Sequence, residues 1–216
     1  MPNPIKTVIF DYGCVISVVP APEDYEPLRK AMGVEPATFN DLYWRHRDAY
    51  DLDTFTATAY WQKVGREAGR EFSATQALDL AELDCGIWGR SNPVMEKWIE
   101  TLHSRGVRIA LISNISSHVA AYLRRNSPWL EYCQPACFSG ELKLLKPDAA
   151  IFHACLNDLG QPATETLFID DREVNVAAAR AVGMNGIVFH SIVQLQTELE
   201  PYGLDESLTA AQTRAR

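Results

Sequence analysis

The fold is decided by the segment TVIFDYGCVIS, residues 7–17. Its first four residues form a short apolar run, and the run ends at the carboxylate of Asp11. Such a run is typical of a buried strand in a parallel sheet. The pattern of an apolar run followed by a polar residue returns in VRIALIS, residues 107–113, and TLFIDD, residues 166–171, and a shorter run covers residues 186–189.

Helical periodicity lies between these runs. Residues 93–104, 149–159 and 174–182 each place their apolar side chains on one helix face. Strands that alternate with helices predict an α/β fold built on a parallel sheet. In such sheets ligands bind beyond the carboxyl ends of the strands, so the polar residues that end the runs are candidates for a site.

The stretch 17–88 has a different character. It contains no strand-like run, only helical segments around residues 24–32, 37–47, 53–69 and 74–83, rich in aromatic and charged residues. We interpret it as a helical cap inserted after the first strand. The predicted organisation is therefore a catalytic core of residues 1–16 and 89–208, a cap of residues 17–88, and a disordered tail of residues 209–216.

Composition limits the class of protein. The 216 residues include 20 Lys and Arg against 28 Asp and Glu, a net charge of −8 that disfavours nucleic acid as a partner. No apolar run approaches the roughly 20 residues that cross a bilayer, and no signal-peptide pattern opens the chain, so we expect no membrane association. The five cysteines are irregularly spaced, as in reduced cytoplasmic proteins. The sequence does not indicate an oligomeric state.

The strand-end residues suit nucleophilic chemistry on phosphate. A carboxylate exposed where a strand turns, as predicted for Asp11, can attack phosphorus or carbon and form a covalent intermediate. Gly13 lets the backbone turn so that its carbonyl can face a metal ion. After the second run, Ser113 and Asn114 offer a hydroxyl group and backbone N–H groups to phosphate oxygens.

A lysine and two further acids complete the predicted site. The ammonium group of Lys146 could neutralise both a phosphate and the nucleophile. Asp170 and Asp171 repel each other unless a cation is present, and with Asp11 and a backbone carbonyl they suit Mg²⁺. Each feature alone has an ordinary explanation, such as an Asx turn, a helix N-cap or a surface lysine. Their order along the chain favours one catalytic site.

Four segments resemble the ordered motifs of the haloacid dehalogenase superfamily. They are VIFDYGCVIS, ALISNIS, LKLLKPDAAIF and LFIDDREVNVAAARAVGM, beginning at residues 8, 110, 142 and 167. The resemblance implies a Rossmann-like core with an N-terminal helical cap and Asp11 as nucleophile. It implies phosphate binding by Ser113 and Lys146, and a Mg²⁺ ion held by Asp11, the Gly13 carbonyl and Asp171, with Asp170 acting directly or through water.

Position 13 departs from the family pattern. Phosphatases of this superfamily usually carry a second Asp two residues after the nucleophile, where it protonates the leaving group and then activates water. Gly13 stands there instead, and if the acid has a functional replacement, the cap near residues 43–47 or a water held by the substrate would supply it. The motif D-x-G-x-V-I resembles a branch that includes sugar-phosphate phosphatases of the α-glucose-1-phosphate type.

These observations predict a Mg²⁺-dependent phosphatase that hydrolyses a small, sugar-phosphate-like metabolite through an aspartyl-phosphate on Asp11. Two alternatives remain open. A 2-haloacid dehalogenase would also lack the second Asp, but such enzymes usually lack the acidic pair that Asp170 and Asp171 form here. A catalytically weak, ligand-binding protein of the same fold would explain Gly13 but not the otherwise full set of metal- and phosphate-binding residues.

Overall fold

A computed structural model describes residues 4–214. These residues build a parallel sheet of five strands in the order β3-β2-β1-β4-β5. The strands are β1 (Thr7–Phe10), β2 (Arg108–Ser113), β3 (Cys133–Phe138), β4 (Thr166–Asp170) and β5 (Asn185–Val188). The predicted α/β fold with a parallel-sheet core is confirmed.

The helices divide between two regions of the chain. Those inserted after β1 are α1 (Glu26–Met32), α2 (Pro36–Arg45), α3 (Arg47–Asp51), α4 (Ala57–Glu67) and α5 (Ala74–Trp88). Those that accompany the sheet are α6 (Pro93–Ser104), α7 (Ser117–Asn126), α8 (Ser139–Leu142), α9 (Ala149–Leu159), α10 (Glu173–Ala181), α11 (Ile192–Leu199) and α12 (Asp205–Arg214). Short 3-10 turns cover Pro22–Tyr25, Pro128–Tyr132, Ala163–Glu165 and Glu200–Tyr202.

The sheet has a hydrophobic core on each face because successive strand residues point to opposite sides. In β1, Val8 and Phe10 pack into one cluster with Trp98 of α6. Ile9 faces the other way and packs with Phe152 of α9 and Phe168 of β4. Every residue of β1 and β4 is buried, which explains their continuous apolar runs.

The inserted helices have a hydrophobic cluster of their own, which includes Leu28, Tyr43, Tyr60 and Trp61. The two segments that connect this cap to the core run side by side. Ser17 and Ser91 form an isolated antiparallel bridge, and the N–H of Val18 donates to the carbonyl of Arg90 at 2.8 Å. The cap is therefore tethered to the sheet by two adjacent linkers.

Two sequence-based expectations differ from the structure. Strand β3 was not predicted, because its sequence CQPACF contains a proline and its first half is partly exposed at the sheet edge. The prediction of a disordered tail over residues 209–216 is wrong for residues 209–214, because these residues form the last part of α12. Leu208 and Ala211 are buried, and the hydroxyl of Ser207 accepts a hydrogen bond from the Trp98 indole at 2.7 Å. Residues 215 and 216 lie outside the described residues.

Among residues 4–214, no helix combines the length and the apolar character needed to cross a membrane.

Candidate active site

Polar residues from three adjacent strands meet at one edge of the sheet. Asp11 directly follows β1, Ser113 ends β2 and Asp170 ends β4, and these strands are neighbours in the sheet. Parallel strands bring their carboxyl ends to the same side, so the three side chains converge. A cavity of about 310 Å³ opens above them. It is lined by Asp11, Tyr12, Gly13, Cys14, Trp44, Arg47, Asp48, Asp51, Trp88, Ser113, Asn114, Ile115, Lys146, Asp171, Arg172 and Asn175.

Lys146 lies between two of the acids. Its Nζ is 2.8 Å from Asp11 Oδ1 and 2.7 Å from Asp170 Oδ2. Burial alone would lower the pKa of Lys146, but the two carboxylates outweigh burial and raise this pKa above its ordinary value. The ammonium group is therefore charged at neutral pH and holds both carboxylates.

Asn114 fixes the main chain of Lys146. Its Oδ1 accepts the Lys146 N–H at 2.8 Å, and its Nδ2 donates to the Lys146 carbonyl at 2.9 Å. Asn114 was predicted to bind phosphate; in the structure both polar groups of its side chain contact Lys146. Phosphate binding at Asn114 therefore stays a prediction for its backbone N–H.

Three carboxylates at this edge form a candidate metal site. Oxygen atoms of Asp11, Asp170 and Asp171 all lie within 4.8 Å of one another. With Lys146, the group carries a formal charge of −3 + 1 = −2, which suits a divalent cation with oxygen ligands. Burial, and then the charge of Asp170, raise the pKa of Asp171, as expected for acids whose counter-ion is a cation.

Asn175 gives a second indication of a cation. Its Nδ2 donates to both carboxylate oxygens of Asp170, at 3.0 and 3.1 Å. Its Oδ1 is buried and has no hydrogen-bond partner within residues 4–214, although the residue lines the cavity. A buried amide oxygen without a partner is costly, and a metal-bound water would satisfy it. The donor set therefore fits Mg²⁺.

The surroundings of Asp11 suit a nucleophile. The Tyr12 N–H donates to Asp11 Oδ1 at 2.6 Å, which orients the carboxylate. Burial raises the pKa of Asp11 to about 6, and Lys146 opposes that rise. Burial and the nearby acids raise the pKa of the Cys14 thiol to about 11, so this neighbour is not a thiolate at neutral pH.

At Gly13 the site has free space. A Cβ atom added there would approach Asp11 Oδ2 to 4.0 Å and meet nothing closer within residues 4–214. The absence of a second Asp therefore leaves room beside the nucleophile and does not reflect crowding.

The cap contributes five residues to the cavity: Trp44, Arg47, Asp48, Asp51 and Trp88. Trp44 and Arg47 lie in or beside the segment predicted to reach the site, whereas Asp48, Asp51 and Trp88 were not predicted. The sequence carried one weak signal for the acids, their spacing of three residues on one short helix.

A buried cluster of charges holds the cap side of the cavity. Arg47 donates to Asp84 at 2.9 Å, to the hydroxyl of Tyr43 at 2.7 Å and to Asp51 Oδ1 at 3.2 Å. Burial raises the pKa of Asp51 to about 7, against the effect of Arg47. One guanidinium thus forms ion pairs with two buried acids, Asp51 and Asp84.

The chain belongs to the haloacid dehalogenase-like hydrolases, whose family it matches over residues 5–183. It is therefore a hydrolase by family. The resemblance drawn from the four motifs is confirmed.

Several curated proteins resemble the chain. It is 38% identical over 199 residues to drimenol cyclase drtB of Aspergillus calidoustus, covering 90% of this chain but 36% of that protein. It is 26% identical to sesquiterpene phosphatase astK of Aspergillus oryzae, covering 84% of this chain and 88% of the relative. It is 23% identical to D-ribitol-5-phosphate phosphatase of Bacteroides thetaiotaomicron, covering 83% and 89%.

Solved structures share the fold. A HAD family enzyme of Bacteroides thetaiotaomicron superimposes with a TM-score of 0.71 at 20% identity, covering 87% of this chain and 95% of that chain. L-2-haloacid dehalogenase of Xanthobacter autotrophicus superimposes with a TM-score of 0.64 at 19% identity, covering 90% and 82%. At these identities the likeness concerns the fold alone.

Proposed function

We propose that this hydrolase is a Mg²⁺-dependent phosphatase that acts on a phosphate monoester through an aspartyl-phosphate on Asp11. The observation that most supports this proposal is the close approach of three carboxylates around one buried lysine. Two relatives named as phosphatases cover most of both chains and support this chemistry.

In the proposed reaction the Asp11 carboxylate attacks phosphorus and the leaving alcohol departs. Lys146 neutralises charge on the nucleophile and on the phosphoryl oxygens, while Asn114 keeps its main chain in place. Ser113, buried at the end of β2, would donate its hydroxyl to a phosphoryl oxygen. When bound by Asp11, Asp171, the Gly13 carbonyl and Asp170, Mg²⁺ would supply further stabilisation of phosphoryl charge. Water then hydrolyses the aspartyl-phosphate.

The leaving-group side of the cavity favours an apolar alcohol. Trp44, Trp88 and Ile115 line the cavity, and Trp44 is 47% exposed although tryptophan is usually well buried. A second cavity of about 230 Å³, lined by Tyr25 and Phe39 among others, shares Trp44 with the first. The aromatic side chains offer stacking and burial to a leaving group, beside the charged side chains of Arg47, Asp48 and Asp51.

We therefore propose an isoprenoid-like phosphate as substrate and keep the sugar phosphate as the alternative. The names of two relatives, a sesquiterpene phosphatase and drimenol cyclase, support the apolar class. The chain spans 36% of the length of the cyclase.

The test is phosphate release from farnesyl phosphate, glucose 1-phosphate, glucose 6-phosphate and p-nitrophenyl phosphate, with Mg²⁺ or EDTA. We expect metal-dependent release that Asp11→Asn abolishes and that Asp158→Asn, on the exposed face of α9, leaves unchanged. Faster turnover of farnesyl phosphate than of either glucose phosphate supports the apolar class. The reverse order would favour a sugar phosphate as the substrate. No phosphate release from any of the four compounds would refute the proposed phosphatase activity.

A 2-haloacid dehalogenase is the second candidate, because Asp11 could equally attack carbon. The acidic triplet argues against it, since a metal-independent displacement of halide gains nothing from Asp171 beside Asp170. Chloride release from 2-chloropropionate in EDTA, without phosphate release from the panel, would favour the dehalogenase.

A further inference from the structure

Helix α3 presents two acids to the cavity, one turn apart and in different surroundings. Asp48 is exposed, whereas the side chain of Asp51 is 10% exposed. Both line the cavity that contains Asp11 and Lys146. The two acids therefore face the same cavity but differ in burial.

Asp51 is anchored to the loop that follows β2. The Ser139 hydroxyl lies 2.7 Å from the Asp51 carbonyl and 3.1 Å from the carbonyl of Ile115. Two residues further on, Asp53 Oδ1 accepts the N–H of Ser117 at 2.9 Å. These contacts hold the end of α3 against the segment after Ser113, on the side where a phosphate would be bound.

The surroundings of Asp51 also set its protonation. Arg47 Nε donates to Oδ1 at 3.2 Å, but the same guanidinium also binds Asp84. Burial raises the pKa of Asp51 to about 7, Arg47 opposes the rise, and Asp84 and Asp48 add to it. Near neutral pH the carboxyl group is therefore able both to release and to accept a proton.

We propose that Asp51 is the proton donor and acceptor that replaces the acid missing at position 13. This role rests on the proposed phosphatase function. As Asp11 attacks and the bond between phosphorus and the ester oxygen breaks, the Asp51 carboxyl O–H protonates that oxygen and the alcohol leaves. The resulting Asp51 carboxylate then takes a proton from the water that attacks the aspartyl-phosphate. Phosphate is released, and Asp11 and protonated Asp51 are regenerated.

The test compares Asp51→Asn with Asp158→Asn, an exposed acid of α9 that does not line the cavity, on two substrates. Asparagine keeps the shape and the contact with Arg47 but cannot transfer a proton. A p-nitrophenolate leaves without protonation, whereas an alkoxide does not. For Asp51→Asn we expect kcat/KM to fall by about 10²–10⁴ on an alkyl phosphate and by less than about tenfold on p-nitrophenyl phosphate. Asp158→Asn should stay within about threefold of wild type on both substrates.

A second readout follows the water step. If Asp51 activates water, Asp51→Asn should release a burst of p-nitrophenol close to one equivalent per enzyme, followed by slow turnover, because the aspartyl-phosphate accumulates. An equal loss on both substrates, with no burst and an unchanged melting temperature, would overturn the proposal. Failure of the phosphatase itself is distinguishable, since wild type would then release product from neither substrate.

Discussion

Asn114 and Lys146 hold each other through two hydrogen bonds, one to the Lys146 N–H at 2.8 Å and one to its carbonyl at 2.9 Å. The residues are 32 positions apart and come from the loops after β2 and β3. Through this pair the β2 loop determines where the Lys146 ammonium lies between Asp11 and Asp170. The asparagine thus acts on the candidate nucleophile through the lysine.

Asn114→Ala should therefore impair catalysis more than folding. Lys146 keeps its charge but loses the support of its main chain, and we expect kcat/KM on p-nitrophenyl phosphate to fall on the order of 10²-fold. The two lost hydrogen bonds should lower the free energy of unfolding by about 1–3 kcal/mol. Asn157→Ala, on the exposed face of α9, is the control and should leave activity unchanged without lowering the free energy of unfolding. Full activity in Asn114→Ala would contradict the positioning role.

Gly140→Ala should loosen the contact between cap and core. A Cβ there would lie 2.6 Å from the N atom of Ser117 and 2.9 Å from Asp53 Oδ1, the two atoms whose hydrogen bond joins the cap turn to α7. We expect a loss of about 1–3 kcal/mol in the free energy of unfolding, together with reduced turnover.

Gly86→Ala is the matched control. Gly86 lies inside α5, and a Cβ there meets no atom within 4 Å among the described residues. This substitution should stabilise by about 0.5–1 kcal/mol in urea unfolding, because alanine favours the helix. Equal effects at the two glycines would contradict the assignment of Gly140 to the cap junction.

The raised pKa of Asp51 predicts a pH-dependent stability. Its value moves from 3.8 to about 7, because burial, Asp84 and Asp48 outweigh Arg47. Between these values the folded state binds more protons than the unfolded state, so the contribution of Asp51 to stability is greatest below about pH 4 and is lost as pH rises to about 7. Three pKa units correspond to at most about 4 kcal/mol.

Urea unfolding of wild type and Asp51→Asn between pH 4 and pH 8 measures this difference. The free energy of unfolding of wild type should decline relative to the variant up to about pH 7 and then remain parallel to it. Asp158→Asn, on the exposed face of α9, serves as the control and should track wild type at every pH. A constant difference across the range would mean that Asp51 is not buried as described.

Mg²⁺ should stabilise the folded protein even where no reaction occurs. The acidic triplet carries a formal charge of −2 with Lys146, and a ligand that binds only the folded state adds RT ln(1 + [L]/Kd). We expect the melting temperature to rise with Mg²⁺ and to return with EDTA. Asp171→Asn should raise the Mg²⁺ concentration needed for the same shift at least tenfold. Asp158→Asn, at an exposed position, should leave that concentration unchanged. No shift in wild type would argue against a metal site.

The sequence was most informative where local pattern and topology agree. Strand β1 is a continuous apolar run because both faces of the sheet are covered, so its pattern and the acid that ends it were readable directly. Strand β3 escaped prediction because an edge strand with Pro135 and half-exposed residues has neither an apolar run nor alternation. The buried face of α12 was missed for a related reason, since it depends on contact with α6 over a hundred residues away.

Asp51 marks the limit of sequence-based prediction at the site. It shares the guanidinium of Arg47 with Asp84, which comes from α5, and its carbonyl accepts a hydrogen bond from Ser139 after β3. No local spacing encodes that meeting of three segments. The sequence did indicate the gap that such a residue would fill, at Gly13.

The space beside Gly13 allows a decisive rescue. Gly13 does not need a positive φ, and its missing Cβ would meet nothing closer than Asp11 Oδ2, 4.0 Å away, within residues 4–214. A carboxyl group introduced by Gly13→Asp would therefore lie next to the nucleophile. In the Asp51→Asn background we expect it to restore kcat/KM on an alkyl phosphate by at least about tenfold and to remove the p-nitrophenol burst. Gly13→Asn in the same background has the same size without a transferable proton and should restore nothing. Rescue by aspartate alone means that Asp51→Asn is impaired because it lacks a group that transfers a proton. Rescue by neither substitution would mean that Asp51→Asn loses activity through a change in structure.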